Sequence, residues 1–154
     1  MSDLSTMDLE LVDAATEVIK SNIDLVSFNH TVGAAVRCTN GNVYTGVNVY
    51  SNHGACAEII ALGTAISRGE RDFECIVAVG GDHFDMIYSP CGNCRQFILE
   101  YAPACEIIVS TEEGLKKSKL RISFHMLTTD QNDFYTNRFS FYFQSTEGLM
   151  MLDE

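Results

Sequence analysis

Two short runs place reactive side chains at spacings that chemistry can use: Cys56-Ala57-Glu58 and Pro90-Cys91-Gly92-Asn93-Cys94. Each falls at the start of a predicted helix. There the partial positive charge of the helix end favours the thiolate, the form of cysteine that binds metal. Cys91 and Cys94 are three residues apart, so both project from one helical face. If the two helices lie side by side with aligned N-termini, Cys56 brings a third sulfur to the pair. Zinc takes four ligands, and a catalytic zinc site keeps the fourth position for water. Glu58 lies two residues from Cys56, close to such a metal without being needed as a ligand. A carboxylate there can take a proton from water and return it to a substrate nitrogen.

Piece by piece, other readings stay open. Cys91-x-x-Cys94 opens a helix, as redox pairs do, but a redox pair leaves Cys56 and Glu58 unexplained. A closed structural zinc site needs a fourth ligand, for which His53, Cys75 and Cys105 are the candidates. Glu58 alone reads as a solvent-facing helix residue, and only the joint pattern reverses that. Cys38, Cys75 and Cys105 sit in or beside apolar strands and read as small buried core residues. A ligand-x-Glu motif followed by Pro-Cys-x-x-Cys is the pattern of zinc deaminases, here in a three-cysteine form.

The elements that must position these residues alternate. Ser5 and Asp8 form a capping-box-like start, and Leu11, Val12, Ala15, Val18 and Ile19 recur at helical spacing to about Lys20. Strands are predicted over 31–38 and 43–49, joined by the turn signal Asn40-Gly41. A second helix runs from about Ala55 to Ser67 and stops at Gly69. A strand follows over 73–79, its nearly continuous apolar run typical of a strand covered on both faces. Pro90 suits the first position of a helix continuing through Tyr101. A further strand covers 106–110. The order predicts a mixed sheet with helices on both faces. Beyond it, 112–119 reads as a short helix and 120–127 as a strand, and the alternation of Phe139, Phe141 and Phe143 has strand periodicity.

Composition narrows the function classes. The 154 residues suggest one domain and suffice to bury a core without disulfides. Lys plus Arg total 10 against 21 Asp plus Glu, a formal charge of -11. Phosphate recognition rests on clustered Lys and Arg, so a nucleic-acid partner and an anionic membrane surface are disfavoured. No apolar stretch reaches 18 residues, so no membrane span is expected. Met1-Ser2-Asp3-Leu4-Ser5 lacks the basic and apolar regions of a secretory signal. With six cysteines, that points to a reducing cytoplasm, where thiols serve metals or catalysis.

The runs 45–50 (Thr-Gly-Val-Asn-Val-Tyr), 54–58 (Gly-Ala-Cys-Ala-Glu) and 89–96 (Ser-Pro-Cys-Gly-Asn-Cys-Arg-Gln) resemble the cytidine deaminase superfamily. Leu62-Gly63-Thr64-Ala65 and 75–79 make the chain most similar to its blasticidin-S deaminase branch. The likeness covers about Leu11 to Ser110. It implies a three-layer α/β/α cytidine-deaminase-like fold with a mixed sheet, a homotetramer, and one Zn2+ per subunit on Cys56, Cys91 and Cys94. It implies Glu58 as proton shuttle, and a small-molecule partner: a cytosine nucleoside or nucleoside antibiotic that loses its 4-amino group as ammonia. Asn48, Tyr50, Ala57, His30 and Ser89 would contact substrate, and Arg95 would support a ligand thiolate. Tyr50 stands where cytidine deaminases carry a Glu that holds the ribose. His30 replaces an aromatic residue, and Ile59 replaces an Arg that often follows the catalytic Glu. The expected organisation is a deaminase domain over 1–119 and a divergent segment over 120–154, packed on the domain or at a subunit interface.

Overall fold

The computed structural model describes residues 1–120. The strands expected around 120–127 and 139–143 lie outside the described residues, apart from Leu120, which is not in a strand, and so does the packing expected of the 120–154 segment. Among the described residues the elements run α1 (Thr6–Asn22), β1 (Gly33–Cys38), β2 (Val43–Val47), α2 (Ala57–Ser67), β3 (Phe73–Gly80), β4 (Met86–Ile87), α3 (Gly92–Tyr101), β5 (Glu106–Thr111) and β6 (Gly114–Lys119). The sheet order is β2-β1-β3-β5-β6, with β4 paired to β3. Among the described residues only the β3–β5 pairing is parallel; the other strand pairs are antiparallel. The expected mixed sheet is therefore present.

Strand alternation explains the layers. Successive side chains on a strand point to opposite faces. Ala34, Val36, Ile76, Ala78 and Ile107 pack with Ala61 and Leu62 of α2 and Ile98 of α3. Their neighbours Ala35, Cys75, Val77, Val79 and Ile108 pack with Leu11, Ala15 and Ile19 of α1. Both faces of β1 and β3 are thus covered, as the unbroken apolar run over 73–79 requires. Cys38, Cys75 and Cys105 are buried. Burial pushes the Cys38 thiol up to about 11 and the Cys75 thiol up to about 12, as expected of inert core cysteines.

Three local expectations need correction. Residues 112–119 form no helix: β5 turns through Glu112-Glu113 and returns as β6, with Thr111 opposite Gly114. Gly114 has φ 105, which glycine adopts without a Cβ penalty and which this tight turn requires. Leu115 then packs on the α1 side and Lys117 reaches Asp8, an alternation that helix-favouring Lys and Glu had masked. Second, β4 is an added strand of two residues, too short to show periodicity. Third, Pro90 is not the first residue of α3. Cys91 is the extended N-cap (ψ 173), as Cys56 (ψ 156) is for α2, so both cysteines stand just before their helices.

Arg37 is the unexpected member of the α1 side. It is buried in β1, donating to Asp8 (2.7 Å), the Met7 carbonyl (2.7 Å) and Glu74 (2.9 Å). Lys117 adds a second cation to Asp8 at 3.0 Å. The network ties the start of α1 to β1, β3 and β6.

Candidate metal centre and cavity

The starts of α2 and α3 meet. Cys56 and Cys91 Sγ atoms are 3.6 Å apart, and Cys91 and Cys94 Sγ are 3.5 Å apart. All three sulfurs lie within 4.8 Å of one another. Sulfurs bound tetrahedrally about 2.3 Å from a zinc ion stand about 3.8 Å apart, so the set is close to a zinc-bound arrangement as it stands. Among the described residues no other group of three His, Cys, Asp or Glu side chains converges in this way.

Holding these sulfurs together as thiolates takes a cation. The burial of Cys94 and the nearby Glu58 charge push its thiol far up, and burial also raises Cys56. Cys91 is held below its ordinary value, first by the Cys94 backbone N–H donating to its sulfur at 3.5 Å. No Lys or Arg lines the adjoining cavity among the described residues. Three sulfurs and a carboxylate gathered without a countercharge fit one Zn2+ per subunit.

The cavity has a volume of about 440 Å³ and opens beside the sulfurs. Glu58 sits on its wall, in the first turn of α2, and is only 7% exposed. Among the described residues its carboxylate has no hydrogen-bond or ion-pair partner, so its polar atoms face the cavity. Cys56 supplies no side-chain cap to α2. The N–H groups of Ala57, on the wall, and of Glu58 have no acceptor among the described residues, whereas that of Ile59 donates to the Cys56 carbonyl at 3.1 Å.

The structure brings together most of the expected site. Asn48, Tyr50, Ala57 and Ser89 line the cavity with Glu58, Cys56 and Cys91. Asn48 is held rigidly: its side-chain oxygen accepts from Val32 N at 2.9 Å, and its N–H donates to the Val32 carbonyl at 3.0 Å. That leaves its amide NH2 as the group available to a ligand. Tyr50 is anchored by a 3.2 Å hydrogen bond between its hydroxyl and Thr31.

Two expected residues fall elsewhere. His30 is not on the cavity wall; it has a φ of 59, and its Nδ1 donates to the Asn48 main-chain oxygen at 2.7 Å. It adjoins the cavity through Asn48. Arg95 is exposed on α3, one residue past Cys94, and its guanidinium makes no hydrogen bond to a sulfur. Val32, Val49, Gly54, Ala55, Ala78 and Tyr88 complete the wall. The only sequence signal for Tyr88 was an aromatic residue three positions before Cys91.

Comparison with known proteins agrees with this geometry. The family model of the cytidine and deoxycytidylate deaminase zinc-binding region matches residues 5–111. A blasticidin-S deaminase of Bacillus cereus is 38% identical over 127 residues, covering 77% of this chain and 89% of that protein. A probable cytidine deaminase of Dictyostelium discoideum is 39% identical over 90 residues, 56% of this chain and 60% of that one. The crystal structure of cytidine deaminase from Burkholderia pseudomallei superposes with a TM-score of 0.60 at 29% identity, covering 75% of this chain and 93% of that one.

Proposed function

The chain belongs to the cytidine and deoxycytidylate deaminase family of zinc-dependent hydrolytic deaminases, and from that premise we propose that it removes the 4-amino group of a small cytosine nucleoside or nucleoside antibiotic of the blasticidin-S kind. The observation that carries this reading is Glu58, a buried carboxylate without partners on the wall of a cavity whose adjoining corner holds three converging sulfurs. The B. cereus relative supports the antibiotic-like substrate, as does Tyr50 on the cavity wall.

In this mechanism Cys56, Cys91 and Cys94 would hold the zinc. When bound, it supplies the positive charge that lowers the pKa of the attacking water and makes it a nucleophile near neutral pH. Glu58 accepts a proton from that water and passes it to N3 of the cytosine ring as oxygen adds at C4. Glu58 then carries the second proton to the amine as the C4–N4 bond breaks, so water and substrate give a uracil product and ammonia. The free N–H groups at the starts of α2 and α3, at Ala57 and Cys91, orient the base and the attacking oxygen. Asn48 and Tyr50 contact the sugar-like part, Ser89 lies beside the base, and His30 holds Asn48 in place.

All of these residues fall within the 1–119 deaminase domain. We also infer a homotetramer. Its support within the chain is α2, which has apolar residues round its circumference; Ile59 and Ile66 on it are only half-buried. Light scattering on the purified protein tests that assembly.

The substrate test is loss of cytosine absorbance on incubation of the zinc-loaded protein with blasticidin S and, separately, with cytidine and deoxycytidine. Faster turnover of blasticidin S is expected. Preference for cytidine would assign the chain to ordinary nucleoside deamination. Zinc content with no turnover of any cytosine compound would make it a non-catalytic zinc-binding relative.

A further inference from the structure

We propose that Tyr88 is a substrate-binding wall of the cavity, contacting the face of the substrate's pyrimidine ring, and that Gly80 is the notch that seats it; this rests on the deaminase reading above. Tyr88 follows β4, and its N–H donates to the Ala78 carbonyl at 2.9 Å, which places its ring beside the end of β3. A Cβ added to Gly80 would collide with Tyr88 Cε2, stand 3.1 Å from Cδ2, and meet the Thr31 carbonyl oxygen at 3.2 Å. Gly80 is not among the glycines with positive φ, so the backbone does not demand glycine there. The ring does.

The two cavity tyrosines are held differently about the same residue. Tyr50 is tied by its hydroxyl to the Thr31 side chain, whereas Tyr88 is fixed by its ring against Gly80, next to the Thr31 carbonyl. Tyr88 lines the cavity and is 37% exposed, and its hydroxyl has no hydrogen-bond partner among the described residues. A ring face without a polar partner suits another flat ring, because stacking needs only two π faces. The one flat conjugated ring common to cytidine and blasticidin-like substrates is the pyrimidine.

The test uses the zinc-loaded full chain and five forms: wild type, Gly80→Ala, Tyr88→Ala, Tyr88→Phe and the double variant Gly80→Ala/Tyr88→Ala. Thermal melts and zinc content are recorded for each. Loss of one stacked contact predicts that KM rises about tenfold in Gly80→Ala and in Tyr88→Ala, with kcat changed far less. The rise in Tyr88→Ala should be similar for cytidine and for blasticidin S. Tyr88→Phe restores affinity, and the double variant is no weaker than Tyr88→Ala alone. Additive losses in the double variant would overturn the notch, because Gly80 would then be acting on the Thr31 backbone. An unchanged KM in Tyr88→Ala, or a rise for one substrate only, would overturn the pyrimidine contact. Calorimetric titration with uridine separates this inference from the deaminase reading. A wild type without turnover that binds uridine more tightly than Tyr88→Ala defeats the reading and keeps the contact; one that neither turns over nor binds defeats both.

Discussion

Asp8 and Glu58 invite comparison. Each is a carboxylate in the first turn of a helix, and each is buried. Asp8 is saturated: it accepts from the Ser5 N–H and hydroxyl at 2.8 Å each, from Arg37 at 2.7 Å and from Lys117 at 3.0 Å. Glu58 has no such partner among the described residues. The helix starts differ in the same sense, since α1 has a complete capping box and α2 begins on a cysteine that caps nothing. A carboxylate with four donors is committed to holding the structure, because moving its proton would break every bond it makes. One facing a cavity beside three sulfurs can exchange protons without disturbing the fold. Partner saturation, more than burial, separates the structural acid from the functional one.

The strongest way to break this contrast is to neutralise each acid without changing its shape. Glu58→Gln should lower turnover by about 10²–10⁴-fold, the range for loss of a general acid–base group. Zinc content and melting temperature should stay at the wild-type level, as no protein bond is lost. Full activity in that variant would sink the mechanism. Asp8→Asn should do the opposite. Removing one partner of a buried ion pair costs about 3–5 kcal/mol, because Arg37 and Lys117 are left undercompensated. Denaturant titration should show that loss, while turnover at low temperature stays near wild type. A large stability loss in Glu58→Gln, or none in Asp8→Asn, would erase the distinction.

The two sites were unequally legible in the sequence for a physical reason. Cys56, Glu58, Cys91 and Cys94 announce themselves because each motif is local, and the fold need only bring two helix starts together. Asp8 was legible as a cap, since Ser5 is three residues away, but not as an ion-pair partner. Its partner Arg37 lies 29 residues off, and nothing local marks an arginine that will be buried in β1. The same applies to Lys117, hidden in a run that reads as helix until Gly114 turns it into a strand. The cavity wall divides likewise. Asn48 and Tyr50 stand in a recognisable run, but the Tyr88–Gly80 seat and the His30–Asn48 bond exist only once β1, β3 and β4 are side by side.

A change of pH sharpens the contrast further. Burial alone would raise the Asp8 carboxyl, but the Ser5 N–H, Arg37 and Lys117 outweigh it and hold the group well below the ordinary 3.8. A depressed folded value means that the stabilisation is complete above the unfolded value and is lost as the pH falls below it. Wild type should therefore weaken as the pH drops from neutral through about 4 and below. The Glu74 carboxyl, held low beside Arg37, acts in the same direction. In Asp8→Asn the loss between pH 7 and pH 3 should be visibly smaller, read from denaturant midpoints. An equal acid loss in both proteins would place the sensitivity elsewhere.

Arg95 gives the smallest expected effect. The resemblance gave it the task of supporting a ligand thiolate, which would make it the Arg37 of the metal centre. The structure gives it no such bond. Cys94 turns inward to the sulfur cluster, and the next residue on a helix points about 100° away, so Arg95 projects outward and is exposed. An exposed charge at that distance is screened by water and salt. Arg95→Ala should therefore weaken zinc binding less than the 10–100-fold typical of groups that hydrogen-bond a metal ligand, with turnover reduced only a few-fold. Competition with a chelator measures the first and steady-state kinetics the second. A tenfold or larger loss of zinc affinity would mean that the guanidinium folds back onto a thiolate when metal is bound. The metal centre would then have a saturating partner of the kind Asp8 has, and the line between the two sites would fall at Glu58 alone.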